Sequence, residues 1–256
     1  MNPISIFFFA HQDDEFAVFS EIENKVDLGY KVYCIYMTDG GARKAVPILR
    51  NKESISVLLR LGVEEKNILF TGEQLGIEDG KLPYCMKNAY QWIDLWISKH
   101  KKIDSIYVPA WEGGHQDHDA LHAIVVYCLA KKNQEDKVFQ FSLYRAAKIK
   151  GPLFHAMSPL KENGKTIFIP IIFKRRLAYV RLCLCYPSQI KTWLALFPFV
   201  AFRYLFSGVQ ALQKVNAERL KERPHQDDLY YEKRGFFAWR EMQLCLKDID
   251  INAQAS

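Results

Sequence analysis

The sequence predicts an α/β protein built on a doubly wound, mostly parallel sheet. Three observations carry this. Short, β-rich apolar runs recur from Ile4 to Leu143. Stretches with helical spacing separate them. Two clusters of histidine and acid each come directly after such a run. A run that is apolar throughout suits a strand buried on both faces, and strand–helix alternation suits parallel strands joined by crossover helices.

The elements follow in order. Ile4 to Ala10 reads as the first buried strand and runs straight into His11-Gln12-Asp13-Asp14-Glu15. Phe16 to Lys25 has helical character. Tyr30 to Met37 is the second strand, closed by the turn signal Thr38-Asp39-Gly40-Gly41. Residues 46–61 have helical spacing, with Ile48, Ile55, Leu58 and Leu59 expected on the buried face and Gly62 as the stop. Asn67 to Phe70 is a short third strand. A helix from Tyr84 to His100 follows, with Tyr90, Trp92, Ile93 and Trp96 as core contacts. Ser105 to Pro109 is the fourth strand. It ends in Trp111-Glu112-Gly113-Gly114 and the second cluster, His115-Gln116-Asp117-His118. Asp117 to Lys131 reads as a helix and Lys137 to Leu143 as the fifth strand.

The pattern weakens after residue 150. Residues 166–173 look like a strand or edge hairpin. Residues 192–206 are strongly apolar but interrupted by Pro198 and Arg203, too short and broken for a membrane span. Three readings stay open for them: a core helix, a hydrophobic lid, or a segment dipping into a bilayer surface. The expected organisation is a core over 1–190 and a hydrophobic, helical C-terminal extension over 191–256 packed on it.

Composition narrows the class. The 256 residues suffice for one large α/β domain, and 49% apolar with 25% charged residues excludes a disordered chain. A net charge of +6 suits an acidic ligand or an anionic membrane surface. No Lys/Arg block is interleaved with stacking aromatics, so no nucleic-acid partner is expected. The cysteines at 34, 85, 128, 183, 185 and 245 include one CxC and no CxxC, which argues against a zinc knuckle or disulfide framework. The first residues lack a basic region and a cleavage site, so a reducing cytoplasm is expected.

In open α/β sheets ligands bind beyond the carboxyl ends of the strands, so both clusters belong on one rim. A catalytic zinc takes three protein ligands and leaves one position for water. His11 and Asp14 lie in one turn, and His118 can supply the third ligand from the other strand end. Asp13 is then the candidate general base. A protonated His115 could stabilise an oxyanion, with Asp117 hydrogen-bonded to it and keeping it charged. Either motif alone is a common acidic turn; the two together, each after a buried strand, point to a metal site. His122 reads as an ordinary helix-face histidine. Glu15 reads as a partner of His11 or as an acid at a helix start. A second His-Gln-Asp-Asp, at 225–228, follows Arg223-Pro224 instead of a strand and reads as a solvated loop or helix cap.

AHQDDE at 10–15, HQDH at 115–118 and RNKESISVLLRLGV at 50–63 together resemble the PIG-L/LmbE-like deacetylase family, whose motifs are usually AHPDDE and HPDH. Arg50, Glu53, Leu61 and Gly62 match its Arg-x-x-Glu and Leu-Gly element, and Tyr186-Pro187-Ser188-Gln189 is similar to its later Ser-Gln element. The resemblance covers residues 4–190. It implies a Rossmann-like fold that binds zinc instead of dinucleotide, and removal of acetyl from N-acetylglucosamine-type sugars on an aglycone. It implies His11, Asp14 and His118 as Zn²⁺ ligands, Asp13 as base, His115 as transition-state stabiliser and Arg50 in substrate binding. Fe²⁺ suits the same donors. Gln12 and Gln116 replace the usual prolines; neither is a ligand, and both restore backbone freedom.

The implied substrate is a small-molecule or lipid-linked amino sugar, its choice expected to reside in 41–47, 72–84 and 191–256. Two alternatives remain: a glycolipid deacetylase docked on a membrane through 192–206, and a non-catalytic sugar- or metal-binding module. A nucleotide-dependent oxidoreductase is disfavoured, because no GxGxxG follows the first strand.

Overall fold

The computed structural model describes residues 2–41, 46–146 and 155–254. Five strands come first: β1 (Ile4–Phe9), β2 (Lys31–Tyr36), β3 (Ile68–Phe70), β4 (Ile103–Pro109) and β5 (Val138–Phe141). A two-stranded ribbon, β6 (Tyr144–Arg145) with β7 (His155–Ala156), precedes β8 (Thr166–Pro170) and β9 (Val209–Lys214). The main sheet runs β3-β2-β1-β4-β5-β9-β8. Its first five strands are parallel, while β9 is antiparallel to both β5 and β8.

The helices are α1 (Phe19–Asp27), α2 (Val46–Arg60), α3 (Thr71–Leu75), α4 (Met86–Ser98), α5 (Gln116–Lys131), α6 (Phe173–Leu182), α7 (Ile190–Phe202), α8 (Tyr230–Lys233) and α9 (Trp239–Gln254). They cover both faces of the sheet. Ile6 and Phe8 of β1 point to a core shared with α4, α5 and α9. Phe7 and Phe9 point to the opposite core, with α1, α2, α6 and α7. Alternate side chains of one fully buried strand thus serve two cores, which is why the run is apolar throughout.

The chain moves outward from β1 through β2 to β3, then crosses to β4 on the other side of β1. That reversal opens a crevice at the carboxyl ends of β1 and β4, where both His/Asp clusters begin.

One expectation is corrected and two are refined. On α2 the buried residues are Pro47, Arg50, Glu53, Ser54, Val57 and Leu58, whereas Ile48 and Leu59 are exposed and Ile55 is half-buried. The first half of this helix faces the crevice, so its inner stripe is polar and hydrophobic spacing misreports it. Residues 166–173 divide into edge strand β8 and the start of α6. Residues 192–206 form most of α7 and its continuation into a single π-helical turn, Arg203–Ser207. Trp193, Leu196, Val200 and Tyr204 are buried there, but Leu194, Phe202 and Phe206 are exposed. Among the described residues no helix is long and apolar enough to cross a membrane.

Beyond residue 190 the chain contributes β9 to the main sheet, and α9 packs on α4 and α5. Within β9, buried Gln210 and Gln213 donate to the carbonyls of Ala17, Leu160 and Gly164. Residues 42–45, part of the 41–47 loop, lie outside the described residues.

Candidate active site

The turn after β1 is shaped by Asp13, whose φ of 92° lies in the left-handed region. Asp and Asn tolerate that conformation better than most residues. Asp14 begins a 3-10 turn, and its Oδ2 accepts from the backbone N–H of Ala10 (3.1 Å) and of His11 (2.8 Å). The carboxylate is therefore fixed, with Oδ1 directed at His118 Nε2 over 3.1 Å.

After β4 the chain passes Gly113 and Gly114 to His115, the N-cap of α5. A Cβ on Gly114 would sit 2.0 Å from the Tyr144 carbonyl oxygen, so only glycine allows this approach. His118 follows in the first turn of α5, opposite the β1 turn.

His11 Nδ1 and His118 Nε2 face each other at 3.3 Å, and His11 Nδ1 lies 3.6 Å from Asp14 Oδ2. Donors around a tetrahedral ion with bonds of about 2.0–2.1 Å are separated by about 3.3–3.4 Å. All three residues are buried, and one donor atom from each lies within 4.8 Å of the others, two of them imidazole nitrogens and one a carboxylate oxygen. This donor set fits a divalent cation.

Asp117 sits elsewhere than expected. Its carboxylate accepts from the N–H of Gly80 (2.6 Å) and Leu82 (3.1 Å) and lies 3.0 Å from His11 Nε2, against 3.9 Å from His115 Nδ1. It thus backs His11: Nε2–H donates to the carboxylate, leaving the Nδ1 lone pair free on the metal side. His115 Nδ1 instead accepts the backbone N–H of Asp117 over 3.2 Å. Burial is the main cause that pushes its pKa down to about 4. Accepting at Nδ1 leaves the hydrogen of a neutral His115 on Nε2, whereas the sequence reading made its oxyanion role conditional on protonation.

Asp79 was not singled out from the sequence. It lies 3.1 Å from His11 Nε2 and 3.5 Å from the Arg50 guanidinium, and with His11, His115 and Asp117 it forms a second group of potential metal donors. Its only signal was its place in the 72–84 stretch.

Asp13 is held from two sides. Arg50 lies 3.2 Å from Oδ1, and the Trp193 indole N–H donates to Oδ2 over 3.1 Å. Burial raises its carboxyl to about 7, with Arg50 opposing. Arg50 also donates to the carbonyls of Gln12 (2.5 Å) and Gly40. Gln12, where the family usually has proline, donates to Asn51 Oδ1 over 2.6 Å and so ties the turn to α2.

Glu53 accepts from the N–H (2.9 Å) and hydroxyl (2.5 Å) of Ser188, which joins α2 to the Tyr186–Gln189 element. Glu15 is not a partner of His11; it stands in the first turn of the 3-10 helix Asp14–Ala17, as the second reading had it. It accepts from the Asp13 N–H and from the Tyr186 hydroxyl, each at 3.0 Å, and so braces the turn. His122 lies beside the site but is structural: Nδ1 donates to the Pro109 carbonyl over 2.8 Å.

These groups open into a cleft of about 460 Å³ lined by His11, Asp13, Asp79 and His115 together with Tyr144 and residues of α7. A larger cleft of about 750 Å³ lies at the amino ends of the strands, beside Ile4 and Lys31, and holds none of them.

The second His-Gln-Asp-Asp is less solvated than expected. Gln226, Asp227 and Asp228 are exposed, but His225 is buried against Gly113 and Leu229, and neither ring nitrogen has a hydrogen-bond partner among the described residues. The contact arises because Tyr230 N–H donates to the Gly113 carbonyl over 2.7 Å, drawing this loop onto the glycine turn.

Residues 6–129 match the family profile described as PIG-L: GlcNAc-PI de-N-acetylase. The chain carries a PIG-L domain. It is thereby a hydrolase of the N-deacetylase class. The PIG-L stretch runs from β1 to near the end of α5 and contains His11, Asp13, Asp14, Arg50, Asp79, His115, Asp117 and His118; Trp193 lies outside it. A search of curated protein sequences returns no significant match.

Solved structures share the fold. The zinc-inhibited form of a teicoplanin deacetylase is 13% identical, with a TM-score of 0.63 over 82% of this chain and 97% of its own. The N,N'-diacetylchitobiose deacetylase from Pyrococcus horikoshii is 16% identical, with a TM-score of 0.58 over 84% and 83%. An A40926 pseudoaglycone deacetylase is 14% identical, with a TM-score of 0.60 over 88% and 99%.

Proposed function

We propose that this protein is a zinc-dependent hydrolase that removes the N-acetyl group from an N-acetylglucosamine-type sugar conjugate. One observation carries the reading: a buried carboxylate, Asp13, faces the cleft beside the convergent donors of His11, Asp14 and His118. A sugar- or metal-binding module has no need of a carboxylate held there. The proposed ligands are His11, Asp14 and His118, because the oxygens of Asp117 in the second donor group are already engaged by backbone amides. A bound divalent ion would polarise the amide carbonyl and acidify a water.

The chain's own residues do the rest. Asp13 takes the proton from water and returns it to the leaving amine, while Arg50 and Trp193 fix its orientation. His115, neutral, donates Nε2–H toward the oxygen where negative charge develops. Asp117 positions His11. Arg50 acts here through Asp13 and Asp79, and lines the cleft where a sugar would sit. An amino-sugar amide is supported by the family's description and by the chitobiose deacetylase among the structural relatives. The six free cysteines support a reducing, cytoplasmic location.

Asp13→Asn tests the reading, since asparagine keeps the left-handed backbone. Acetate released from a panel of N-acetylglucosamine conjugates should vanish while bound zinc is retained. Undiminished acetate release by the variant would remove Asp13 from the mechanism.

A second reading, a lipid-linked amino sugar, is favoured by α7. Lys191, Thr192 and Ala195 line the cleft, while Ile190 and Leu194 in the same turn are exposed.

A further inference from the structure

α7 and the π turn after it are apolar on two sides. Ile190, Leu194, Pro198, Phe202 and Phe206 recur every four residues, and all are exposed. Leu194 is 71% and Phe206 72% exposed, and the Phe202 and Phe206 ring centroids lie 4.9 Å apart with the rings tilted by 31°. The opposite side is the buried row of Trp193, Leu196, Val200 and Tyr204.

α6 extends the same surface. Tyr179 of α6 meets Tyr204 at 5.5 Å, and both helices pack on one face of the sheet. Their outer sides therefore share one exterior, where Ile172, Phe173 and Leu184 are also exposed.

The charge here is one-sided. Residues 165–207 contain seven Lys or Arg and no Asp or Glu, although the whole chain is only +6. This segment alone accounts for the basic balance. Lys174, Arg181 and Lys191 are exposed and form no ion pair among the described residues.

A monomeric soluble protein rarely exposes so continuous an apolar stripe. Arg175 is paired with Glu23 and Asp27 of α1, but Lys174, Arg181 and Lys191 stand beside large apolar side chains, the combination that seats a helix in the interface of an anionic bilayer. No described helix could span one. We infer that the outer face of α6 and α7 docks the protein peripherally on an anionic lipid surface. Its purpose rests on the lipid-linked reading: α7 also walls the cleft, so docking holds the cleft beside the headgroups. The docking itself needs no turnover.

The full-length protein is sedimented with vesicles of phosphatidylcholine alone or in equal mixture with phosphatidylserine. Binding is expected to the mixed vesicles only, and to weaken with salt. Phe202→Asp with Phe206→Asp should lower it at least tenfold, a loss of about 1.4 kcal/mol. Lys174→Glu with Arg181→Glu should lower it by at least about fivefold per cation. Both variants should turn over a soluble N-acetylglucosamine conjugate like the wild type, which shows them folded. Two results would overturn the inference: a wild type that ignores both vesicles, or variants that bind unchanged. So would a wild-type dimer that Phe202→Asp with Phe206→Asp converts to monomer without changing vesicle binding, since a second copy would then cover the face. Vesicle binding with no turnover of any conjugate would instead sink the deacetylase reading and leave the docking intact.

Discussion

The indole N–H of Trp193 donates to Oδ2 of Asp13 across 3.1 Å, bridging 180 residues of sequence. The ring is itself fixed, stacked on Tyr186 at 5.6 Å and edge-on to Phe16. A hydrogen bond to a charged group contributes about 1.5–3 kcal/mol. Trp193→Phe keeps the stacking and removes the donor. It should lower kcat by about 10- to 100-fold with KM and zinc content little changed. An unchanged kcat would reduce Trp193 to a packing residue.

Asp117 bears on metal affinity more than on His115. Removing such a carboxylate behind a histidine ligand weakens binding by about 10- to 100-fold. Asp117→Asn should show that loss in competition titrations against a chelator. Affinity equal to the wild type would return Asp117 to the role first expected of it, beside His115.

Metal and fold should be linked. A ligand that binds only the native state at a free concentration of about 100 Kd stabilises it by about 2.7 kcal/mol. Melting temperature should therefore rise with free zinc in the wild type and stay flat in His118→Ala, as calorimetry would show. A parallel rise in the variant would place the zinc elsewhere.

His122 supplies a pH dependence separate from the reaction. Burial pushes its pKa down to about 4, while an unfolded histidine titrates near 6.5. Below 6.5 the unfolded chain binds a proton that the folded chain refuses. This contribution is therefore complete above 6.5 and is lost as pH falls towards 4. His122→Gln cannot take up that proton. Its melting temperature should fall less steeply than the wild type's between these values; identical slopes would exclude His122 as the source.

The rim of the sheet was legible because its logic is local. Each cluster follows a strand that is apolar on both faces, so His11 and His118 could be placed together although 107 positions apart. The inner face of α2 was not legible, because a helix lining a polar crevice hides its burial from hydrophobic spacing. β9 was obscured in the same way: Gln210 and Gln213 are buried, but as donors to loop carbonyls. Asp79 sits in an ordinary Asp-Gly turn, and nothing in that dipeptide announces its approach to His11. The Asp117 pairing was misplaced because proximity in sequence favoured His115, whereas the loop carrying Gly80 and Leu82 pulls the carboxylate the other way.

The left-handed backbone at Asp13 narrows what mutation can do there. Alanine deletes the acid but also strains the turn that aligns His11 and Asp14, so an inactive Asp13→Ala protein would confound lost chemistry with a shifted metal cradle. Glutamate keeps an acid but in a conformation its backbone resists. Asparagine alone among close replacements separates the two effects. The residue is thus constrained twice, once by the proton it carries and once by the bend it permits, and a drifting sequence can rarely satisfy both with another amino acid.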